Sequence, residues 1–284
     1  MCRCLLVLVL GWLPLAGHAQ SVPQTRNQLR DETAKNIAAL NQKYPELLAQ
    51  YEKELQAACV VNCSDPQIQA GLSAANVRIT KSMDQVASQM QREIDNYVVR
   101  TVNPKHAELD CEVVAQDLKQ ILGKVVDGEP SAFVLDSPNG RALIGAYTLF
   151  KGVAMGPGAT SVVLRAYPAT DKGMKVGDAT GDDMNGYASV SVKTLPSPTP
   201  GQLWFLVWGQ MTGANGPNIR MRGYAYDGKK FRTVWMPANE WGNFTIHVDA
   251  NGFTVDGEYY RNSKKRHDAY TTAPDGFYLV DLRQ

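Results

Sequence analysis

The chain has 284 residues, with 29 Lys or Arg against 28 Asp or Glu, and 44% of its residues are hydrophobic. That balance is ordinary for a globular protein and excludes disordered, collagenous and multi-span membrane classes. The formal charge of +1 also argues against nucleic acid or an anionic membrane surface as a partner, because both need a concentrated cationic face.

In chain order, the first feature reads as an export leader. Arg3 supplies a positive charge, residues 5–15 (LLVLVLGWLPL) supply an apolar stretch, and Gly17-His18-Ala19 offers small residues at a cleavage site. Residues 1–19 are then removed, the mature chain starts near Gln20, and loss of Arg3 leaves basic and acidic residues equal in number. The apolar stretch is far shorter than the roughly 20 residues that span a bilayer, so no stable membrane anchor is expected. Such a leader implies a periplasmic or secreted protein in an oxidising compartment, where Cys59, Cys63 and Cys111 remain. An odd count means one disulfide plus a free or intermolecular thiol. Cys59 and Cys63 flank a tight corner (CVVNC) and form the preferred pair, with a bond from either to Cys111 as the rival.

Residues 20–123 carry a helical pattern. Leu29, Thr33, Ile37, Leu40, Tyr44, Leu47, Tyr51, Leu55 and Ala58 recur at three- and four-residue steps, which lines them along one helix face. Pro45 lacks the N–H that an interior position must donate, so it kinks this run or restarts it as a first-turn residue. After the corner, Ser64 or Asp65 before Pro66 is a helix-start signature. The next stripe is Leu72, Ile79, Met83, Val86, Met90, Ile94 and Tyr97, and Asn103-Pro104 ends it. Two such stripes joined by a short corner predict an antiparallel hairpin, since each alone leaves too much apolar surface in water. A third helix is predicted over residues 105–123, presenting Leu109, Val113, Leu118, Ile121 and Leu122 and stopping at Gly123.

Residues 124–284 change character, with alternating β-branched and aromatic residues and turn signals about every ten residues. Twelve strands are predicted in three groups of four, over residues 132–179, 187–236 and 244–282. The fold class is therefore α+β, a helical hairpin with a third helix followed by an all-β domain of antiparallel four-stranded meanders. A weak internal repeat supports the grouping: residues 162–176 (VVLRAYPATDKGMKV), 219–234 (IRMRGYAYDGKKFRTV) and, more loosely, 268–280 (DAYTTAPDGFYLV) share a strand, an Asp-Gly type of tip and a returning strand. This hairpin resembles the one between the outer strands of a β-propeller blade. The resemblance implies stacked or radial sheet units, whereas the meanders by themselves are equally compatible with a sandwich or barrel.

Candidate site residues fall into few classes. Trp204 and Trp208 share one face of LWFLVWGQ while Phe205 and Val207 take the other, so this strand is expected to be central and buried. Trp235 and Trp241, if displayed at a loop, are flat surfaces for stacking on a sugar or a partner side chain. Arg261, Lys264, Lys265, Arg266 and His267 form the only dense cationic run, suited to a phosphate, a sulfated sugar or an acidic partner, or else a charged tip that blocks edge pairing. Asp178, Asp182, Asp183 and Asn185 have a calcium-like oxygen-rich composition without the regular spacing of a known calcium loop. His247, Asp249, Glu258 and Asp268 are the scattered acid/base groups that a hydrolase of cell-wall or extracellular polymers would use. No phosphate-binding glycine loop, nucleophile elbow or HExxH helix occurs in the sequence. The expected function is accordingly an exported, non-enzymatic protein. Its helical arm serves as spacer or homo-oligomerisation element, and its β-domain contacts a protein or glycan of the cell envelope.

Overall fold

The structure, a computed structural model, describes residues 24–62, 65–123, 129–149, 161–180, 188–213, 216–237, 241–259 and 264–283. Helix α1 (Arg26–Asn41) opens on a capping box in which Thr25 and Gln28 satisfy each other's backbone N–H groups. Its stripe of Leu29, Thr33 and Ile37 is buried. Helix α2 (Lys43–Asn62) starts one residue after Gln42 and carries Pro45 in its first turn, where the missing N–H has no partner to lose. The run is restarted at the proline, one of the two outcomes the sequence allows.

Helix α3 (Pro66–Thr101) has 36 residues, a length of about 54 Å at 1.5 Å per residue. Asp65 caps it by accepting the Gln67 N–H at 2.7 Å. Asn36 bonds Glu93 at 2.9 Å and Arg78 pairs with Glu54 at 2.6 Å, so positions that advance along α1 and α2 retreat along α3. The pair is the antiparallel hairpin expected, with Ile79, Met83, Met90, Ile94 and Tyr97 buried along its seam. After a 3-10 turn (Pro104–His106), helix α4 (Ala107–Leu122) ends at Gly123 in the left-handed region, φ +52°. One expectation is corrected here: Val113 is 44% exposed, and Val114 takes the core position with Leu118, Ile121 and Leu122. The stripe is set by steps of four and three from Val114, and Val113 lies about 100° away around the helix.

The β-region contains three meanders. The first comprises β1 (Ser131–Ser137), β2 (Gly140–Leu149), β3 (Ser161–Thr170) and β4 (Gly173–Met174), paired in that order. The second comprises β5 (Ala188–Leu195), β6 (Leu203–Gly213), β7 (Gly216–Tyr226) and β8 (Phe231–Trp235), and the third β9 (Trp241–Val248), β10 (Gly252–Tyr259), β11 (Lys265–Ala273) and β12 (Gly276–Arg283). A single pairing, Ile219 with Trp241, joins the last two into one bent eight-stranded sheet. The internal repeat is the third and fourth strands of each meander. β4 is the shortest because Pro168 accepts from Lys175 but has no N–H to give in return, and pairing with β3 resumes at Gly177, which donates to the Ala166 carbonyl at 2.9 Å.

The layers stack in series. On β2, Leu143, Tyr147 and Leu149 face the helices, while Ala142, Ile144 and Ala146 face the second meander. That second cluster is completed by Leu164 and Ala166 of β3 with Phe205, Val207, Tyr224 and Tyr226. The other face of β6, Trp204 and Leu206, belongs to a third cluster with Met221, Phe253, Val255 and Phe277. β6 is thus central and apolar on both faces, as its composition indicates. Phe277 of β12 lies over Gly223 of β7, where an added Cβ would come within 2.4 Å of its ring. Any side chain at that position would separate the second and third meanders.

Two buried polar clusters tie the elements together, the first joining α3 to the first meander and the second joining α1, α3 and α4. At the first, Arg165 of β3 donates through Nε and Nη2 to the two carboxylate oxygens of Asp95 in α3, at 3.1 and 2.6 Å. Tyr167 donates to the same carboxylate at 2.8 Å and Gln91 at 2.9 Å, and Gln91 also bonds the Tyr147 hydroxyl. At the second, Asp117 of α4 accepts from Arg26 at 2.8 Å, from Arg30 at 3.5 Å, and from the Tyr97 hydroxyl. Burial and then the hydrogen bond to Asp117 push the Tyr97 hydroxyl up to about 12. Burial, helped by Asp227 and Asp178, does the same for Tyr226, also to about 12. Burial raises Tyr147 and Tyr167 too, with the charge of Asp95 adding to both.

Two outcomes follow. Arg165→Ala leaves the Asp95 carboxylate buried without its cation and is expected to cost about 3 kcal/mol in chemical denaturation; the apolar pair Asp95→Leu/Arg165→Met should cost less than the single change. Alkaline stability follows from the tyrosines. A phenol whose folded value lies above its ordinary 10 keeps its proton where the unfolded chain has lost it. Its contribution is complete below about pH 10 and lost as pH rises towards 12, by about 1.4 kcal/mol per unit for each such tyrosine. Exposed tyrosines such as Tyr278 ionise without unfolding, whereas the part of the tyrosinate absorbance that belongs to the buried set should rise together with unfolding; full ionisation well before unfolding would contradict these buried environments.

Candidate functional site

The third meander holds most of the residues singled out by sequence, and its two faces separate them. On β10, Phe253 and Val255 point to the core, so Thr254 and Asp256 point out. Through the strand registers, Thr245 and His247 of β9 and His267 of β11 join that outer face. Asp268 pairs with Val255 and takes the inner face, where it is fully buried.

This alternation divides the cationic run. The Arg266 side chain is only 9% exposed and bonds the Asp268 carboxylate at 2.5 Å, and Tyr270 donates to the other oxygen at 2.9 Å. Arg266 is therefore a core counter-ion and is corrected out of the displayed patch. The buried Asp268 needs a cation beside it, and the adjacent Arg supplies one. His267 Nδ1 lies 2.5 Å from the Asp256 carboxylate across the ladder. Lys264 and Lys265 are exposed, with Glu258 opposite Lys265. Arg261 lies outside the described residues. The displayed charge is a pair of lysines beside a His–Asp pair, smaller than the run of residues suggests.

The aromatic candidates are also redistributed. Trp235 packs edge-on against Phe253, Tyr270 and Phe277, at ring-centre distances of 5.5, 5.1 and 5.4 Å. It is a half-buried element of the third core cluster and is corrected from a free stacking platform, because four rings from β8, β10, β11 and β12 close over the bent sheet there. Trp241 pairs through its backbone with Ile219 and Tyr259, and its side chain lies outside the described residues.

Of the calcium candidates, Asp182, Asp183 and Asn185 lie outside the described residues. The Asp178 carboxylate accepts the Phe231 N–H at 2.7 Å, fixing the start of β8 against the first meander. Among the described residues, no group of three or more His, Cys, Asp or Glu is placed to hold a metal ion. Cys63 and the side chain of Cys59 also lie outside the described residues. Cys111 is a free thiol that donates to the Ala132 carbonyl at 2.6 Å, which corrects the rival pairing with the corner cysteines. Burial, with Glu112 adding, raises the thiol above its ordinary value.

The hydrolase candidates do not converge. His247 is exposed on the outer face and Asp268 is buried on the inner one. Asp249 accepts the N–H groups of Asn251 and Gly252 in its own turn, at 2.7 and 3.0 Å.

The sequence reading missed a run of exposed apolar side chains on the edge strand β12. Tyr278, Leu279 and Val280 are 49%, 45% and 63% exposed, and Met236, just after β8, is 62% exposed. Val280 is the extra residue of a bulge opposite Ala269 and Tyr270, so alternation fails there. The pattern FYLVDLR reads as an ordinary strand, and only the sheet order makes it an edge. No described helix is long and apolar enough to cross a membrane. In comparison with known proteins, no family model, no curated protein and no solved structure matches the chain.

Stability measurements separate these roles. Trp235→Ala is expected to cost about 2 kcal/mol in chemical denaturation because it opens the ring cluster. Lys265→Ala should stay within about 0.5 kcal/mol of the parent.

Proposed function

We propose that the protein is exported and works as a non-catalytic binding module, with the arm as a rigid spacer and the third meander as the contact surface for a protein of the cell envelope. The observation that carries this reading is the apolar run Tyr278-Leu279-Val280 on an edge strand, within a third meander that also exposes Lys264 and Lys265. Contiguous exposed apolar side chains near polar ones are the ordinary composition of a contact surface between proteins. A protein partner is favoured over a glycan because Trp235 is engaged in the core and cannot offer its ring to a sugar. The spacer reading is favoured over an oligomerisation arm by the surface of α1–α3. Among the described side chains there, Val77 is the one large hydrophobic that is strongly exposed. The separation of His247 from Asp268 across the sheet favours binding over hydrolysis.

Two measurements test the proposal. N-terminal sequencing of protein recovered from the envelope or medium should begin near Gln20, and a start at Met1 would contradict export. Cross-linking in the envelope should give a defined partner adduct that is lost in Leu279→Asp and reduced in Lys264→Glu/Lys265→Glu. An adduct unchanged in all three, or a hydrolytic activity abolished by His247→Ala, would overturn the reading.

A further inference from the structure

Among the described strands, β1, β4, β5, β8 and β12 end a sheet or branch from it. Four of them are guarded. On β1 the Ala132 carbonyl is taken by the Cys111 thiol of α4, and β4 is two residues long. β5 exposes Lys193 and runs into Pro196, while β8 exposes Arg232 and sets its Val234 carbonyl against Gly276. A short strand, a charged side chain, a proline or a covering element each deters an edge from pairing with another chain. Between Gly276 and Leu282, β12 carries no Lys, Arg or Pro. Its guards are the bulge at Val280 and Asp281 just beyond it. The bulge bends the strand at that point, so residues 276–279 are the straight, pairable length, about 13 Å.

The exposed side chains of this length point both ways. Leu279 lies opposite Tyr270 on the inner face, at the rim of the ring cluster that Tyr270 forms with Trp235 and Phe253. Tyr278 lies opposite Thr271 on the outer face. Both are about half exposed. A partner resting on one face of the sheet would cover only one of them. A strand added in the plane of the sheet flanks both, and its backbone meets the row of N–H and C=O groups that β11 does not use.

A second copy of the chain does not fit this edge. A two-fold axis sets one residue of β12 opposite itself, and three choices lay the strand over Tyr278 and Leu279. Centred on Tyr278, Asp275 falls opposite Asp281 of the copy, with like charges at both ends. Centred on Phe277 or on Leu279, an aspartate falls opposite an apolar residue, Asp275 against Leu279 or Asp281 against Phe277.

We infer that β12 holds its partner by strand addition, taking an extended segment of a different protein along residues 276–279. The segment is apolar where it lies beside Leu279, uncharged beside Tyr278, and free of proline, whose missing N–H would leave a rung unmade. This inference rests on the third meander being the contact surface and names how the partner is held there.

The test uses the full chain with an end-blocked, fluorescent peptide Lys-Thr-Val-Thr-Val-Thr-Lys, which as a strand puts valine on one face and threonine on the other. Anisotropy reads binding, and hydrogen exchange reads the amides of residues 276–279. The expected result is saturable binding that slows exchange of those amides and is weakened about ten-fold or more in Leu279→Asp. Binding should be lost when the peptide carries proline at two adjacent central positions. Lys193→Glu on β5 should leave the affinity within about two-fold, and circular dichroism checks that each variant is folded. No saturation, unchanged exchange in β12, equal binding of the proline peptide, or a dimer of the chain alone that Leu279→Asp disperses would each overturn strand addition. The envelope cross-link separates this inference from the reading it rests on. An adduct lost in Leu279→Asp but with the β12 amides unprotected leaves the contact surface standing and removes strand addition, whereas an adduct that survives Leu279→Asp removes both.

Discussion

The position of the β-stack on the arm depends on the ion pair between Asp95 and Arg165. A carboxylate 5% exposed in the middle of a long helix is unfavourable unless its oxygens are engaged. Here both are, by a guanidinium fork from β3 together with Tyr167 and Gln91. Because all four groups come from only two layers, the contact fixes one register of α3 on the first meander. A shift of one helical turn would leave a buried charge on each side. Apolar packing by Ile94, Tyr97, Leu143 and Leu149 supplies the larger stabilisation but tolerates small slips, so it does not by itself choose the register.

From that junction outward, each layer is held by the one before it. The first meander is buried on both faces, by helices on one side and by Phe205, Val207, Tyr224 and Tyr226 on the other. The second is covered in turn by the third, with Phe277 seated over Gly223. The last meander keeps an outer face, and its β12 is one of the edge strands of the eight-stranded sheet. This explains why the strongly exposed Tyr278, Leu279 and Val280 lie at the end of the chain, and why a contact surface is proposed there. Among the described side chains of α1–α3, Val77 is the one large hydrophobic that is strongly exposed.

Much of the architecture was legible in the amino-acid sequence because periodicity is a direct consequence of which faces are buried. The stripes ending at Tyr97 and at Leu122, the restart at Pro45, the twelve strands in three groups and the two-sided burial of residues 204–207 all follow from local spacing. Val113 was misplaced because a stripe sampled at single residues does not resolve neighbours about 100° apart when both are valines. The site was far less legible. Trp235 and Arg266 look like surface features in a one-dimensional reading. Each is drawn inward by a non-local partner, the ring cluster in one case and Asp268 in the other. The exposed run on β12 was invisible for the converse reason: edge status depends on sheet order, which no local pattern encodes.

The central claim is that arm and stack form one cooperative unit through the α3–β3 junction. Native-state hydrogen exchange tests it most directly, by comparing the slowest amides of α3 near Asp95 with those of β2, the strand covered on both faces. Equal exchange free energies for the two sets, falling together as denaturant is raised, are the expected result. Exchange of α3 through a local opening while β2 stays protected would contradict the claim and separate the arm from the domain it is said to hold.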